Sequence, residues 1–342
     1  CRLGRQSGSF PVDRHLMTSE RHNDPDEPPL FIVLNAGSGR QQGQEARDTI
    51  SRVLREAGRR HDITLVESGA EIPRAARQRA ANGAVVAAGG DGTINAVAQA
   101  AHAVGCPMGL VPRGTFNYFS RTHHIPLALE EALHALLAAR PTPVQVGEVN
   151  GHLFLINASL GLYPALLEDR EAFKSRFGRN RVVALLSALA TLLREHRQLR
   201  LRMQRGDEVH DLRTTTLFVG NNRLQLAQVG VPEARVIEQG RVAAVVLKPV
   251  GHLALLRLLL RGAMGTLADD DRILTFEFDR MTVTPWLPYG LRRVKVAIDG
   301  EIVWMRSPLT FGVSQKPLYL LKPPYADDAD DADDADDAAA SV

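Results

Sequence analysis

The sequence predicts a parallel α/β domain followed by a mostly β domain of sandwich type, and three observations carry that expectation. Wholly apolar runs at 30–34, 84–88 and 108–111 alternate with helical stretches; such runs suit strands buried on both faces of a parallel sheet. Beyond about Thr142 this alternation ends, and strand-like segments separated by turn signals take over, as in a sandwich. At 342 residues and 44% hydrophobic composition, the chain is long and apolar enough for two cores.

Residues 1–29 are polar and proline-rich, closing on Asp24-Pro25-Asp26-Glu27-Pro28-Pro29, and read as a disordered leader. Its first residue is Cys1 rather than methionine, which points to a start further upstream. The α/β domain is expected over 30–142: strand 30–34, the turn Asn35-Ala36-Gly37-Ser38-Gly39, and helix 44–57 with Ile50, Val53 and Leu54 on one face. Strand 62–66, helix 72–81, strand 84–88, helix 94–103 and strand 108–111 follow. The β-rich domain is expected over 143–325. Its strands are 145–149, 152–158, 199–204, 217–220, 241–247, 273–278, 281–284, 294–298 and 301–305, with helices around 181–195 and 252–264. Residues 326–342 repeat Asp-Asp-Ala and form a disordered acidic tail.

The tail's eight aspartates mask the charge of the rest: a chain of net charge +2 becomes +10 without them. A basic body suits an anionic partner such as a phosphate cofactor or a membrane surface. With aromatics at 5% and no recognisable motif, nothing favours a nucleic-acid platform. Cys1 and Cys106 have no metal-ligand spacing and suggest no disulfide framework, which favours a reducing compartment. The longest apolar run, 182–193, falls short of the ~20 residues that cross a bilayer, and no secretory signal is visible. The expectation is a cytoplasmic protein, at most peripheral at the inner membrane face, of open oligomeric state.

Glycine-rich turns sit where the strands end. In Gly89-Gly90-Asp91-Gly92-Thr93-Ile94-Asn95 the glycines let backbone N–H groups approach a phosphate, and the following helix directs its positive end to the same place. Asp91, being anionic, would hold a divalent metal or orient a basic partner; in a purely structural turn it would be an N-cap. Pro112-Arg113-Gly114-Thr115-Phe116-Asn117 follows the next strand, so its turn falls alongside. Thr115 offers a hydroxyl to phosphate and Asn117 a bridge to the neighbouring loop, although Pro-Gly turns are common on surfaces. Three such turns at successive strand ends point to a ligand at the carboxyl edge of the sheet.

These three turns resemble those of the diacylglycerol kinase catalytic family, which includes bacterial lipid kinases and the sphingosine and ceramide kinases. The resemblance runs from about Leu30 to Leu321. Gly-Gly-Asp-Gly-Thr also occurs in NAD kinases and, nearly, in phosphofructokinases; the Pro-x-Gly-Thr-x-Asn turn is the discriminating part. The resemblance implies an NAD-kinase-like α/β domain, a β-sandwich-like second domain, and an active site in the cleft between them. It also implies ATP and Mg2+ as cofactors and a lipid hydroxyl as acceptor, diacylglycerol foremost. It implies that Asn35, Gly37, Ser38 and Gly39 line the nucleotide site. Gly89, Gly90, Asp91, Gly92, Thr93 and Asn95 would cradle the phosphates with Thr115 beside them, and Thr64 would contact the nucleotide.

Ile298-Asp299-Gly300-Glu301 resembles the family turn that supplies the catalytic base. A carboxylate there can accept the hydroxyl proton as the nucleophile attacks the γ-phosphate, with Glu301 the first candidate and Asp299 the second. Asp-Gly between strands is also an ordinary hairpin turn. Two departures stand out. Tyr118 follows Asn117 where relatives often carry aspartate, which puts a polar contact in doubt. In the segment Pro232–Gly240, Gln239 stands in place of an aspartate that helps hold a structural magnesium in bacterial relatives; Glu238 is the one substitute at hand, and metal ligands are left unassigned there. Ten Lys or Arg residues between Arg170 and Arg205 flank the apolar run 182–193. They suit an anionic membrane face or, equally, the charged rim of a packed helix. The expected function is an ATP-dependent lipid kinase. NAD kinase and an idle nucleotide sensor of the same fold stay open as alternatives.

Overall fold

The computed structural model describes residues 28–36, 40–162, 164, 198–251, 254–255, 257–258, 261, 266, 270–289 and 291–324. The expected acidic tail, the leader through residue 27, the helix at 181–195 and most of 252–264 lie outside the described residues. The described N-terminal part runs β1 (Leu30–Asn35), α1 (Arg40–Glu56), β2 (His61–Val66), α2 (Ile72–Ala80), β3 (Ala84–Gly89), α3 (Asp91–Val104) and β4 (Met108–Pro112). β1 pairs in parallel with β2 and β3, and β3 with β4. The carboxyl ends of β1, β3 and β4 are therefore neighbours. Alternate strand residues serve opposite faces: Val33, Val85 and Ala87 pack with α2 and α3, while Ile32, Leu34 and Val86 pack with α1. All six residues of β3 are buried, as its continuous apolar run required. Ile94, Val97, Ala98 and Ala101 seat α3 on the sheet, and the alanines let the helix lie close.

After β4 come α4 (Tyr118–Thr122), α5 (Leu129–Ala138) and β5 (Arg140–Val144). The sandwich follows as β6 (Gly147–Val149), β7 (His152–Phe154), β8 (Asn157–Gly161), β9 (Leu199–Arg205), β10 (Glu208–Thr214), β11 (Thr216–Gly220) and α6 (Arg223–Gln228). It continues with β12 (Val242–Leu247), β13 (Ile273–Phe278), β14 (Arg280–Pro285), β15 (Arg293–Ile298), β16 (Glu301–Arg306) and β17 (Leu309–Val313), and β18 (Leu318–Lys322) ends the series. Two six-stranded antiparallel sheets, β10-β9-β14-β17-β6-β7 and β13-β12-β11-β8-β15-β16, enclose a core that includes Phe154, Leu217, Val219, Met281, Val283 and Phe311. The fold is a parallel α/β layer joined to a β-sandwich.

Several local expectations shift. The first sheet takes β18 beside β4 in parallel, and β5 beside β18, so residues 318–322 belong with the α/β layer rather than with the 143–325 block. This return covers β4, which would otherwise be an open edge. β5 carries Pro141 and Pro143, tolerable because it is the sheet's last strand. The strand anticipated at 152–158 is two, β7 and β8, parted at Leu155 and Ile156.

Candidate active site

The second and third turns meet each other and the end of β1. Asn35, last residue of β1, donates from Nδ2 to Thr93 Oγ1 at 3.1 Å. Its carbonyl accepts from Arg113 at 3.1 Å, and the same guanidinium donates to Gln42 O of α1 at 3.1 Å. Arg113 N donates to Gly89 O at 2.8 Å. Two glycines are required by this approach: a Cβ on Gly114 would lie 2.7 Å from Gly90 Cα, and one on Gly89 would lie 2.5 Å from Thr93 Oγ1. Gly37, Ser38 and Gly39 lie outside the described residues.

α3 begins within the glycine motif. Gly90 is its N-cap in extended conformation and makes no side-chain capping bond. The Gly90 N-cap supplies no side chain to the first-turn N–H groups of Asp91, Gly92 and Thr93, which are donors of the kind that can seat an anion. Asp91 does not cap its own helix. Its Oδ2 accepts from Asn117 N at 3.0 Å, at the start of α4. Burial pushes its carboxyl above the usual carboxylate range, opposed by the N–H groups of Asn117, Phe119 and Tyr118. Asp91 Oδ1 is buried with no partner among the described residues. Asn117, in left-handed conformation at φ 50°, closes its turn by accepting from Gly114 N and donating to Gly114 O, both at 2.9 Å. Thr115 is exposed beside it.

Across from α3 stands the Asp299–Glu301 turn. Asp299 (φ 45°) and Gly300 (φ 87°) make the bend. Asp299 Oδ1 accepts from Ile156 N and Asn157 N, both at 2.9 Å. Its Oδ2 accepts from Leu155 N at 2.8 Å and Asn95 Nδ2 at 2.7 Å. Burial pushes the carboxyl up to about 6, against the pull of these four donors. With all its donors aimed at an ionised carboxylate, Asp299 is an architectural clamp on the gap between β7 and β8. Glu301, first residue of β16, is exposed, and its Oε1 lies 3.3 Å from where a Cβ on Gly92 would be. The carboxylate therefore stands at the N-terminus of α3.

Two residues expected at the nucleotide have other partners. Asn95 Nδ2 donates to Asp299 and to Leu153 O, and its Oδ1 accepts from Gln99, so it latches α3 to the sandwich and has little left for a phosphate. Thr64 is not at the tip of β2, which runs two residues further. Its hydroxyl accepts from Arg79 Nε at 3.2 Å, within a cluster that pairs Arg79 with Asp62 at 2.6 Å. Tyr118, the departure after Asn117, stacks on Phe116 and donates to Gln228 of α6 at 3.2 Å. Sequence reading could not foresee the contacts of Asn95 with Asp299 and of Tyr118 with Gln228, because those partners are remote in the chain.

No group of three or more His, Cys, Asp or Glu placed to hold a metal ion occurs among the described residues. A cavity of about 370 Å3 lies elsewhere along α4, lined in part by Phe119, Thr122, Gln145, Asn222 and Lys322; no described residue of the three turns reaches it.

Residues 29–149 match the model of the diacylglycerol kinase catalytic domain. A protein of Pseudomonas aeruginosa PAO1 named "Probable lipid kinase YegS-like" is 31% identical over 296 residues, covering 84% of this chain and 92% of that one. The chain belongs to the diacylglycerol kinase catalytic family. Its fold is shared with a crystal structure titled as a diacylglycerol kinase from Bacillus anthracis, at TM-score 0.63 and 16% identity over 88% of this chain and 99% of that one. An NAD kinase from Archaeoglobus fulgidus in complex with ATP is similar at TM-score 0.50 and 12% identity, over 87% and 95%.

Proposed function

We propose that this chain transfers the γ-phosphate of ATP to a lipid hydroxyl, with diacylglycerol the first acceptor to test. The observation that carries the reading is the meeting of the 89–95 and 112–117 turns and the Asn35 end of β1 at the N-terminus of α3, with the Glu301 carboxylate beside Gly92. The N–H groups of Asp91, Gly92 and Thr93 would hold phosphate oxygens, aided by the helix dipole. Thr115, exposed on the neighbouring turn, would add a hydroxyl. As the acceptor oxygen bonds to the γ-phosphorus and the bond to ADP breaks, the hydroxyl proton passes to Glu301. Glu301 suits this part because its carboxylate is open to solvent, whereas Asp299 is enclosed by four donors.

Mg2+ accompanies a triphosphate with one or two protein carboxylates, water and phosphate oxygens as ligands. Asp91 fits that small donor set, because it keeps one oxygen without a partner among the described residues. When bound, the ion would neutralise charge on the phosphates. Among the described residues no helix is long and apolar enough to cross a membrane. Of the basic residues proposed to face a membrane, Arg170 to Arg197 lie outside the described residues. Arg202 and Arg205 are paired with Asp211 and Glu208.

The test is incubation with labelled ATP and a panel of diacylglycerol, sphingoid bases, other lipid alcohols and NAD, resolved by chromatography. Label on a lipid that is lost in Glu301→Gln supports the reading. Label on NAD alone makes the protein an NAD kinase, and ATP binding without transfer makes it a sensor.

A further inference from the structure

Single exposed apolar side chains are ordinary, but three large ones share the loop at 286–292, between β14 and β15. Trp286 is 62% exposed, Tyr289 fully so and Leu291 59%. The loop is tied down at its base. Trp286 N donates to Arg200 O at 2.8 Å, Leu291 N to Pro288 O at 3.0 Å, and Ser307 N to Arg292 O at 3.0 Å. Around it stand Arg200, Arg213, Arg292 and Arg293, none with an ion-pair partner among the described residues. Arg202 stacks 6.0 Å from the Trp286 ring centroid and pairs with Asp211. A shallow groove of about 260 Å3 runs between Trp286, Arg200 and Arg213, with Asp211 the one acid on its wall among the described residues.

We propose that this loop docks on an anionic bilayer, with Trp286, Tyr289 and Leu291 entering the interfacial zone and the arginines against lipid phosphates. Trp and Tyr favour that zone because one part of the ring system is apolar and the other polar. Basic side chains near an anionic leaflet add attraction that salt weakens. A protein partner would not specifically call for this pairing of interfacial aromatics with uncompensated arginines; a charged leaflet does. The role of the surface, though not the binding itself, rests on the lipid-kinase reading. β15 starts at Arg293 beside the loop and ends at Ile298 before the Asp299–Glu301 turn. Loop and site are therefore opposite ends of one strand, roughly 20 Å apart at ~3.4 Å per residue. One leaflet's hydrocarbon is ~15 Å deep, so a lipid drawn partly from the docked bilayer spans most of that separation. Gly161, the end of β8, and Leu199, the start of β9, lie on this same end of the sandwich.

Trp304→Phe leaves Trp286 as the one tryptophan, since the chain has two. Its emission should move to shorter wavelength with vesicles of phosphatidylcholine plus phosphatidylglycerol and stay put with phosphatidylcholine alone. Trp286→Ala/Tyr289→Ala/Leu291→Ala should lower the fraction sedimenting with anionic vesicles roughly tenfold or more. Arg292→Glu/Arg293→Glu should do the same, with circular dichroism unchanged in both. Wild-type protein that ignores anionic vesicles, or a triple variant that sediments like wild type, overturns the proposal. So does a wild-type dimer that disappears in the triple variant without any vesicle binding, which would give the loop to a second copy. Failure to phosphorylate any lipid overturns the kinase reading instead and leaves the vesicle result standing.

Discussion

The turn after β3 and the turn between β15 and β16 stand on opposite sides of the site, and each carries a conspicuous aspartate. Asp91 reaches past its own helix to cap α4. Asp299 closes the gap between β7 and β8 and takes Asn95 from α3 as a fourth donor. Both acids hold backbone. What the first turn presents to a ligand is N–H groups and the one Asp91 oxygen without a partner among the described residues, and what the second presents is Glu301. A carboxylate enclosed by N–H donors is a poor acceptor for a substrate proton, whereas one in solvent keeps its lone pairs. Environment, more than residue type, divides the labour between two acids separated by a single glycine.

The sharpest way to break that division is to exchange the two phenotypes. Glu301→Gln should lower kcat by roughly 10²–10⁴ with no change in the urea midpoint. Asp299→Ala strands four donors and should lose roughly 3 kcal/mol or more of stability. An unstable Glu301→Gln together with a stable, inactive Asp299→Ala would reverse the assignment.

Within the first turn, Gly114→Ala pushes against the Gly90 backbone. It should cost roughly 1–3 kcal/mol and raise the KM for ATP, which steady-state kinetics with saturating acceptor would read. Asp91→Ala removes the α4 cap and should cost about 1 kcal/mol in thermal or urea unfolding. Asp91→Asn should recover much of that, because one oxygen remains to accept from Asn117.

The pH response sharpens the comparison further. Asp299 titrates at about 6 in the fold, above its ordinary value, so between the two values the folded state binds more protons than the unfolded one. Its contribution to stability is therefore larger in acid and declines as pH rises through about 6, by roughly 1 kcal/mol between about pH 5 and pH 7. Subtracting the Asp299→Asn profile from the wild-type urea profile isolates this slope; a difference of opposite sign would refute the burial argument. The smallest effect is expected at Thr64→Val, within ~0.5 kcal/mol and without change in the KM for ATP. A large rise in that KM would return Thr64 to the nucleotide site.

Much of the α/β layer was legible because its signals are local. β1, β3 and β4 are unbroken apolar runs, and the glycines at 89, 90 and 114 mark bends wherever the strands lie. Of the strands that escaped notice, β17 (LTFGV) and β18 (LYLLK) carry clear apolar strand signals, whereas β5 and β10 have weak ones. β10 is mostly exposed, with little apolar alternation. β5 carries two prolines, and β18 becomes part of the first sheet only when the chain returns from the sandwich. Among site residues, the glycine turns and the Asp299–Glu301 pair were visible as motifs, but the work of Asn95, Asp91 and Asp299 was not.

The order of residues, unaided, set the buried strands, the glycine bends at their tips and the acid-glycine-acid turn, because pattern and backbone freedom operate over a few positions. Which acid faces the ligand was left to tertiary structure. Asp299 is enclosed by N–H groups 142 to 144 residues earlier and by an asparagine 204 residues away. Burial and the count of donors are properties of what the folded chain brings alongside, and no neighbouring residue announces them.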